Sequence, residues 1–213
     1  MKSIIIICES TFGLDVKKIV LSINDYRKKR SLNPAYNIKG FIGTDDLDKD
    51  TRKLLSPYVG SIGNYEPTEN DYFLMGIVNP CHKKMAAEKL KEKGAVFESI
   101  RAPWTLAHHD FELPEGCIFA AQSVMDSANI GKFTTLFHSI IGFDAEVGDY
   151  SSIMAFANIT SSHVGKCVYI GDNSAVLGDA VGDKTVVLPN SVVVKRVKEG
   201  STVSGIPAKK IKR

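Results

Sequence analysis

The segment Val164-Gly165-Lys166-Cys167-Val168-Tyr169-Ile170-Gly171-Asp172-Asn173-Ser174-Ala175-Val176 decides the fold, because an aliphatic residue returns at every sixth position. The rhythm extends in both directions. Upstream it runs through Ile118, Val124 and Ile130, then Ile141, Val147, Ile153 and Ile159; downstream it runs through Val181, Val187 and Val193. Glycine follows the aliphatic residue at Ile130, Ile141, Val147, Val164, Ile170 and Val181. One longer step separates Ile130 from Ile141, and short steps separate Ile159 from Val164 and Val176 from Val181. Helices repeat at about 3.6 residues and strands at about two, so neither produces this pattern. A parallel β-helix does: each coil has three flat faces, each face sends one aliphatic residue inward, and small or φ-tolerant residues turn the corners. Roughly four to five coils of about 18 residues are expected. An antiparallel barrel would show alternating strands and hairpin turns, which this stretch lacks.

The first hundred residues have a different grammar. Ser3 to Cys8 is a β-branched run suited to a strand buried on both faces. Gly13 to Arg30 reads as a helix, with Val16, Ile19, Val20 and Ile23 at helical spacing. Ile38 to Ile42 and Tyr72 to Val78 read as strands. His82 to Lys93 reads as a charged helix with Met85, Ala86 and Leu90 on one face, stopped by Gly94. Val96 to Ile100 is a last strand. This alternation predicts a small Rossmann-like α/β domain over residues 1–102, followed by the β-helix over 103–213.

Composition excludes several classes. The chain has 213 residues, 44% hydrophobic and 24% charged, with a formal net charge of +3, which is ordinary for a globular protein and too mild to argue for nucleic acid. The basic ending Lys209, Lys210, Lys212 and Arg213 reads as a solvated terminus. The longest apolar run, Ile4 to Cys8, is far shorter than the ~20 residues that span a bilayer. No signal-peptide pattern is present. Cys8, Cys81, Cys117 and Cys167 form no CxxC pair, so neither structural zinc nor a disulfide framework is expected, and a cytoplasmic location follows.

The whole layout resembles the sialic acid O-acetyltransferases and UDP-amino-sugar N-acetyltransferases, within the left-handed β-helix, hexapeptide-repeat acyltransferases. The resemblance rests on the hexads, on Gly40-Phe41-Ile42 leading to Asp45-Asp46, on Gly76-Ile77-Val78-Asn79, and on the ending Gly205-Ile206-Pro207-Ala208-Lys209. It implies a homotrimer with acetyl-CoA as acyl donor along the β-helix between subunits. It also implies a sugar or nucleotide-sugar acceptor held by the N-terminal domain, and a histidine base beside a carboxylate. Carried over by position, Ser152, Asp172, Pro189 and Lys209 fall in the cofactor region, while Glu9, Ser10, Thr11, Asp45, Asp46 and Asn79 fall in the acceptor region.

The resemblance breaks where the chemistry should be. The hexad that carries the base reads Ile141-Gly142-Phe143-Asp144-Ala145-Glu146-Val147-Gly148, and Phe143 cannot take a proton. Asp144 keeps the neighbouring acid. The glycine-rich phosphate turn is replaced by Cys8-Glu9-Ser10-Thr11-Phe12-Gly13, whose carboxylate repels phosphate. His138 and His163 are therefore the candidates for a displaced base, with surface histidines as the plainer reading. His108 and His109 fall in a connector, and His82 near a helix start. Trp104 and Phe143 could stack on a ring or simply pack. No close histidine pair supports a zinc site. Two readings remain: a sugar acetyltransferase with a shifted base, or a trimeric binding member of the same family that has lost the reaction.

Overall fold

The computed structural model describes residues 1–107, 111–120, 123–124 (backbone only), 128–178 and 180–211. Strand β1 (Lys2–Cys8) is the centre of the N-terminal unit, and Ile4, Ile5, Ile6, Ile7 and Cys8 are fully buried there. Helix α1 (Phe12–Lys28) follows, then β2 (Tyr36–Gly43), the short helix α2 (Lys49–Leu54), β3 (Tyr58–Ser61), β4 (Asp71–Gly76), α3 (Pro80–Glu92) and β5 (Val96–Phe97). The five strands pair in parallel in the order β3-β2-β1-β4-β5. Helix α1 buries Val16, Ile19 and Val20 on one face. A Cβ on Gly13 would overlap the Cys8 sulfur, so this glycine lets α1 lie directly on β1. Helix α3 starts with Pro80 in its first turn behind an Asn79 cap, and ends before Gly94, whose φ of +81° is left-handed.

Two details of this unit differ from the sequence reading. Met85 points outward and is 67% exposed, while Lys83 is buried with Ala86, Ala87 and Leu90. The face of α3 is rotated because it packs against the β-helix as well as the sheet. The last strand is also divided. Val96–Phe97 stays in the first sheet, whereas β6 (Ile100–Arg101) pairs with β7 (Ile118–Ala120) and opens the first sheet of the β-helix.

The C-terminal region is a prism of three sheets whose successive coils pair in parallel; the described residues give them eight, five and four strands. Ser152 pairs with Tyr169, and Tyr169 with Val186, an advance of 17 residues per coil (169 − 152) and not 18. One side of each coil is a residue shorter, which explains the five-residue steps. The long step from Ile130 to Ile141 is filled by Leu136, which is fully buried in the prism core. Leu136 pairs with Phe119, so Phe119 is the inward residue of β7; its neighbour Ile118 faces the α/β unit. Sequential residues of a strand point to opposite faces, and here both faces are buried. The side chain of Val124 lies outside the described residues.

The glycines of the hexads do not turn the corners. Left-handed φ falls on other residues, one coil apart: Phe133 (56°), Tyr150 (62°), Cys167 (55°) and Lys184 (53°). Glycine serves close stacking instead. A Cβ on Gly171 would lie 2.6 Å from the Pro189 nitrogen, and one on Gly182 2.5 Å from the Glu199 nitrogen. Corner aspartates tie the coils together: Asp149, Asp172 and Asp183 accept from the backbone N–H of Lys132, Ala155 and Lys166 at 2.9, 3.0 and 2.8 Å. At the far end, Lys209–Lys210 folds back antiparallel on Thr202–Ser204, and Ala208 packs against the prism core.

Candidate functional site

The four-stranded face of the prism carries Asn129, Glu146, His163 and Ala180 in one outward ladder, each paired with the next coil. His163 Nδ1 lies 2.5 Å from Glu146 Oε2. In the tautomer with its proton on Nδ1, the ring donates to this carboxylate and the Nε2 lone pair can accept a proton. His163 remains exposed, and the small Ala180 beside it leaves that flank open. Phe143, 65% exposed, sits at the corner three residues ahead of Glu146. Asp144 shares that corner with φ of 53° and is exposed. Glu146 contacts His163 here, a pairing that the sequence reading missed. Its signal was present: 146 and 163 differ by one coil, visible once the coil is 17 residues long.

His138 lies elsewhere. It occupies a left-handed corner on another edge, with its ring edge-on to Phe137 at 4.6 Å, and lines a small cavity of about 270 Å³ with Trp104, Asp15 and Lys18. His108 and His109 lie outside the described residues.

Of the residues assigned to the cofactor region, Ser152 is fully buried. Its hydroxyl donates to the Val78 carbonyl at 2.7 Å and accepts from Lys83 Nζ at 2.7 Å, so in this chain it offers nothing to a ligand. Lys83 also donates to Thr135 Oγ1 at 2.9 Å and the Ser151 carbonyl at 3.1 Å. Burial without a carboxylate partner lowers its pKa to about 7. Asp172 and Pro189 meet at one corner of adjacent coils, where Asn190 N–H donates to the Asp172 carbonyl at 2.8 Å. Lys209 is exposed on the terminal hairpin.

The acceptor-region residues form two neighbouring hollows. Glu9 Oε1 accepts from Asn79 N–H at 2.9 Å, and its Oε2 lies 2.7 Å from His82 Nδ1. Ser10 Oγ accepts from Phe12 N–H at 3.3 Å, and Thr11 precedes α1 without a side-chain cap. Glu9, Asn79, Cys81, Tyr169 and Lys184 line a groove of about 590 Å³ between the α/β unit and the prism. Asp45 and Asp46 line a second cleft of about 540 Å³, with His82 and Lys89. Hydrogen bonds from Ser61, from the Lys89 ammonium and from Gly63 N–H hold the Asp45 pKa down to about 2. Among the described residues no three His, Cys, Asp or Glu side chains converge on a metal position, and no helix is long and apolar enough to cross a membrane.

No family model matches the chain, and neither does any curated protein. Solved structures do. WeeI from Acinetobacter baumannii is 23% identical, with a TM-score of 0.80 over 99% of this chain and 100% of its own. A variant of perosamine N-acetyltransferase from Caulobacter crescentus, in complex with CoA and GDP-perosamine, is 16% identical, with a TM-score of 0.80 over 100% of this chain and 98% of its own. The acetyltransferase domain of PglB from Neisseria gonorrhoeae is 15% identical, with a TM-score of 0.77 over 99% of this chain and 100% of its own. At these identities the likeness establishes a shared fold along the full length: an α/β unit followed by a β-helix.

Proposed function

We propose that this protein is a sugar acetyltransferase of the hexapeptide-repeat, left-handed β-helix group, moving an acetyl group from acetyl-CoA to a sugar hydroxyl or amine in glycan precursor synthesis. His163 is the base, Glu146 its orienting carboxylate. The His163–Glu146 contact carries this reading, because it supplies the base that Phe143 cannot. The full-length likeness to a perosamine N-acetyltransferase variant that holds CoA and GDP-perosamine, and to the acetyltransferase domain of PglB, supports it.

In the reaction the acceptor oxygen or nitrogen loses its proton to His163 Nε2 while its lone pair forms a bond to the thioester carbonyl carbon. Collapse of the tetrahedral species breaks the carbon–sulfur bond, and the imidazolium returns the proton to the departing thiolate. Holding donor and acceptor together lowers the barrier further, by about 7–11 kcal/mol in favourable cases. Residues 1–102 form the Rossmann-like acceptor domain in this account, and residues 103–213 the acyl-transfer domain. Asp172, Pro189 and Lys209 flank the CoA arm, and a homotrimer of this chain completes the cleft. Four unpaired cysteines suit a reducing, cytoplasmic setting.

Thiol release from acetyl-CoA with a panel of amino sugars and neutral sugars tests the assignment. His163→Ala is expected to lower kcat by about 10²–10⁴-fold. Glu146→Gln is expected to lower kcat in the same direction but by less than His163→Ala, because the ring stays in place and loses the carboxylate that orients it. A wild-type rate in His163→Ala removes the base. CoA binding without turnover on any acceptor leaves a binding member that has lost the reaction.

A further inference from the structure

We propose that the Glu9 carboxylate permanently fills the anion position of the α/β unit, so that the acceptor is a free sugar and not one linked to a nucleoside diphosphate. This deepens the acetyltransferase reading and rests on it for the word acceptor. In an open parallel sheet, ligands bind beyond the carboxyl ends of the strands where the strand order turns back. Here that place lies between β1 and β4, where the chain leaves Cys8 on one side and Gly76 on the other. A phosphate there is ordinarily held by the free N–H groups that open the next helix.

At the start of α3, which closes the far side of this crevice, those groups are already engaged, while α1 opens without a side-chain cap and its Phe12 N–H donates to Ser10 Oγ at 3.3 Å. Asn79 N–H donates to Glu9 Oε1 at 2.9 Å. Cys81 and His82 N–H donate to Asn79 Oδ1 at 3.0 and 3.3 Å. His82 Nδ1 holds the other Glu9 oxygen at 2.7 Å. The Glu9 side chain is only 17% exposed, so it is built into the loop. A diphosphate would have to break two contacts and then lie against a negative charge. The glycine left in the turn, Gly13, is used for packing on Cys8 and gives no room to a phosphate.

The groove in front of Glu9 stays open, about 590 Å³ in volume, with Tyr169, Lys184 and Thr202 on its far side. A carboxylate accepts hydrogen bonds and donates none, so it suits the hydroxyl and amino donors of an unphosphorylated sugar.

Calorimetric titration with UDP and GDP as probes tests this on the full chain and on Glu9→Gly and Glu9→Ser, each first shown to melt cooperatively. The wild type is expected to give no saturable binding at millimolar nucleotide, and a folded variant to bind at least tenfold tighter than the wild type. Saturation of the wild type at micromolar nucleotide overturns the proposal. So does a folded variant that binds no better than the wild type, because Glu9 is then not the barrier. These titrations need no acyl donor, so a failure of acetyl-CoA to bind sinks the acetyltransferase reading separately.

Discussion

Lys83 shows how much a single side chain reports on this molecule. Its ammonium sits in the seam between α3 and the prism, bonded to Thr135, Ser151 and Ser152 and, among the described residues, to no carboxylate. An unfolded lysine titrates near 10.5, and this one at about 7. Between those values the unfolded chain binds the extra proton, so folding stability rises with pH from about 7 to 10.5 and is lowest below that window. Lys83→Met is expected to flatten this slope in urea unfolding followed from pH 6 to pH 10. An unchanged slope would mean that the ammonium is not enclosed. Neither Lys83 nor Glu146 was legible at this scale from sequence. A charged residue on a charged helix gives no sign of burial until the surface that covers α3 is known. Glu146 is matched to His163 only by a coil length that is one residue shorter than the sixfold rhythm suggests.

At the scale of elements the sequence was far more informative. The run Ile4 to Cys8, the helix around Val16 and the hexads from Ile141 to Val193 all form the elements that their spacing requires. A ladder of identical coils repeats its own signal, so errors of one residue average out. The misreadings fall at the junction, where Ile118 and Ile100 are covered from both sides and the inward position passes to Phe119. The short α2 was missed, although Asp48 caps it by accepting from Asp50 and Thr51 N–H. The stacked core makes a direct energetic statement. Ile153 is fully buried between coils, and Ile153→Ala is expected to lower unfolding free energy by about 2–5 kcal/mol through lost burial and the cavity left behind. Denaturant midpoints at constant slope measure this. A loss below about 1 kcal/mol would contradict a close-packed prism interior.

For the whole molecule, the arrangement of apolar surface points to assembly. Leu177 and Val194 stack one coil apart on the five-stranded face, with Ile140 on the same face and Phe156 at its edge, and all four are exposed in the single chain. An apolar strip of this kind is unfavourable in water and suits burial against a different, complementary face of a second copy of this chain, the head-to-tail contact that closes a ring. Sedimentation is expected to give a trimer at micromolar concentration, and Leu177→Glu a monomer; a monomeric wild type would contradict the shared cleft. The proposed activity stands on receipt of acetyl-CoA by the flank of this prism. It is tested most directly by titrating acetyl-CoA into the wild-type protein at pH 7 in a calorimeter. Saturable binding below the millimolar range is expected, weakened by a change at Asp172 or Lys209. Absence of any binding at millimolar acetyl-CoA would contradict the account.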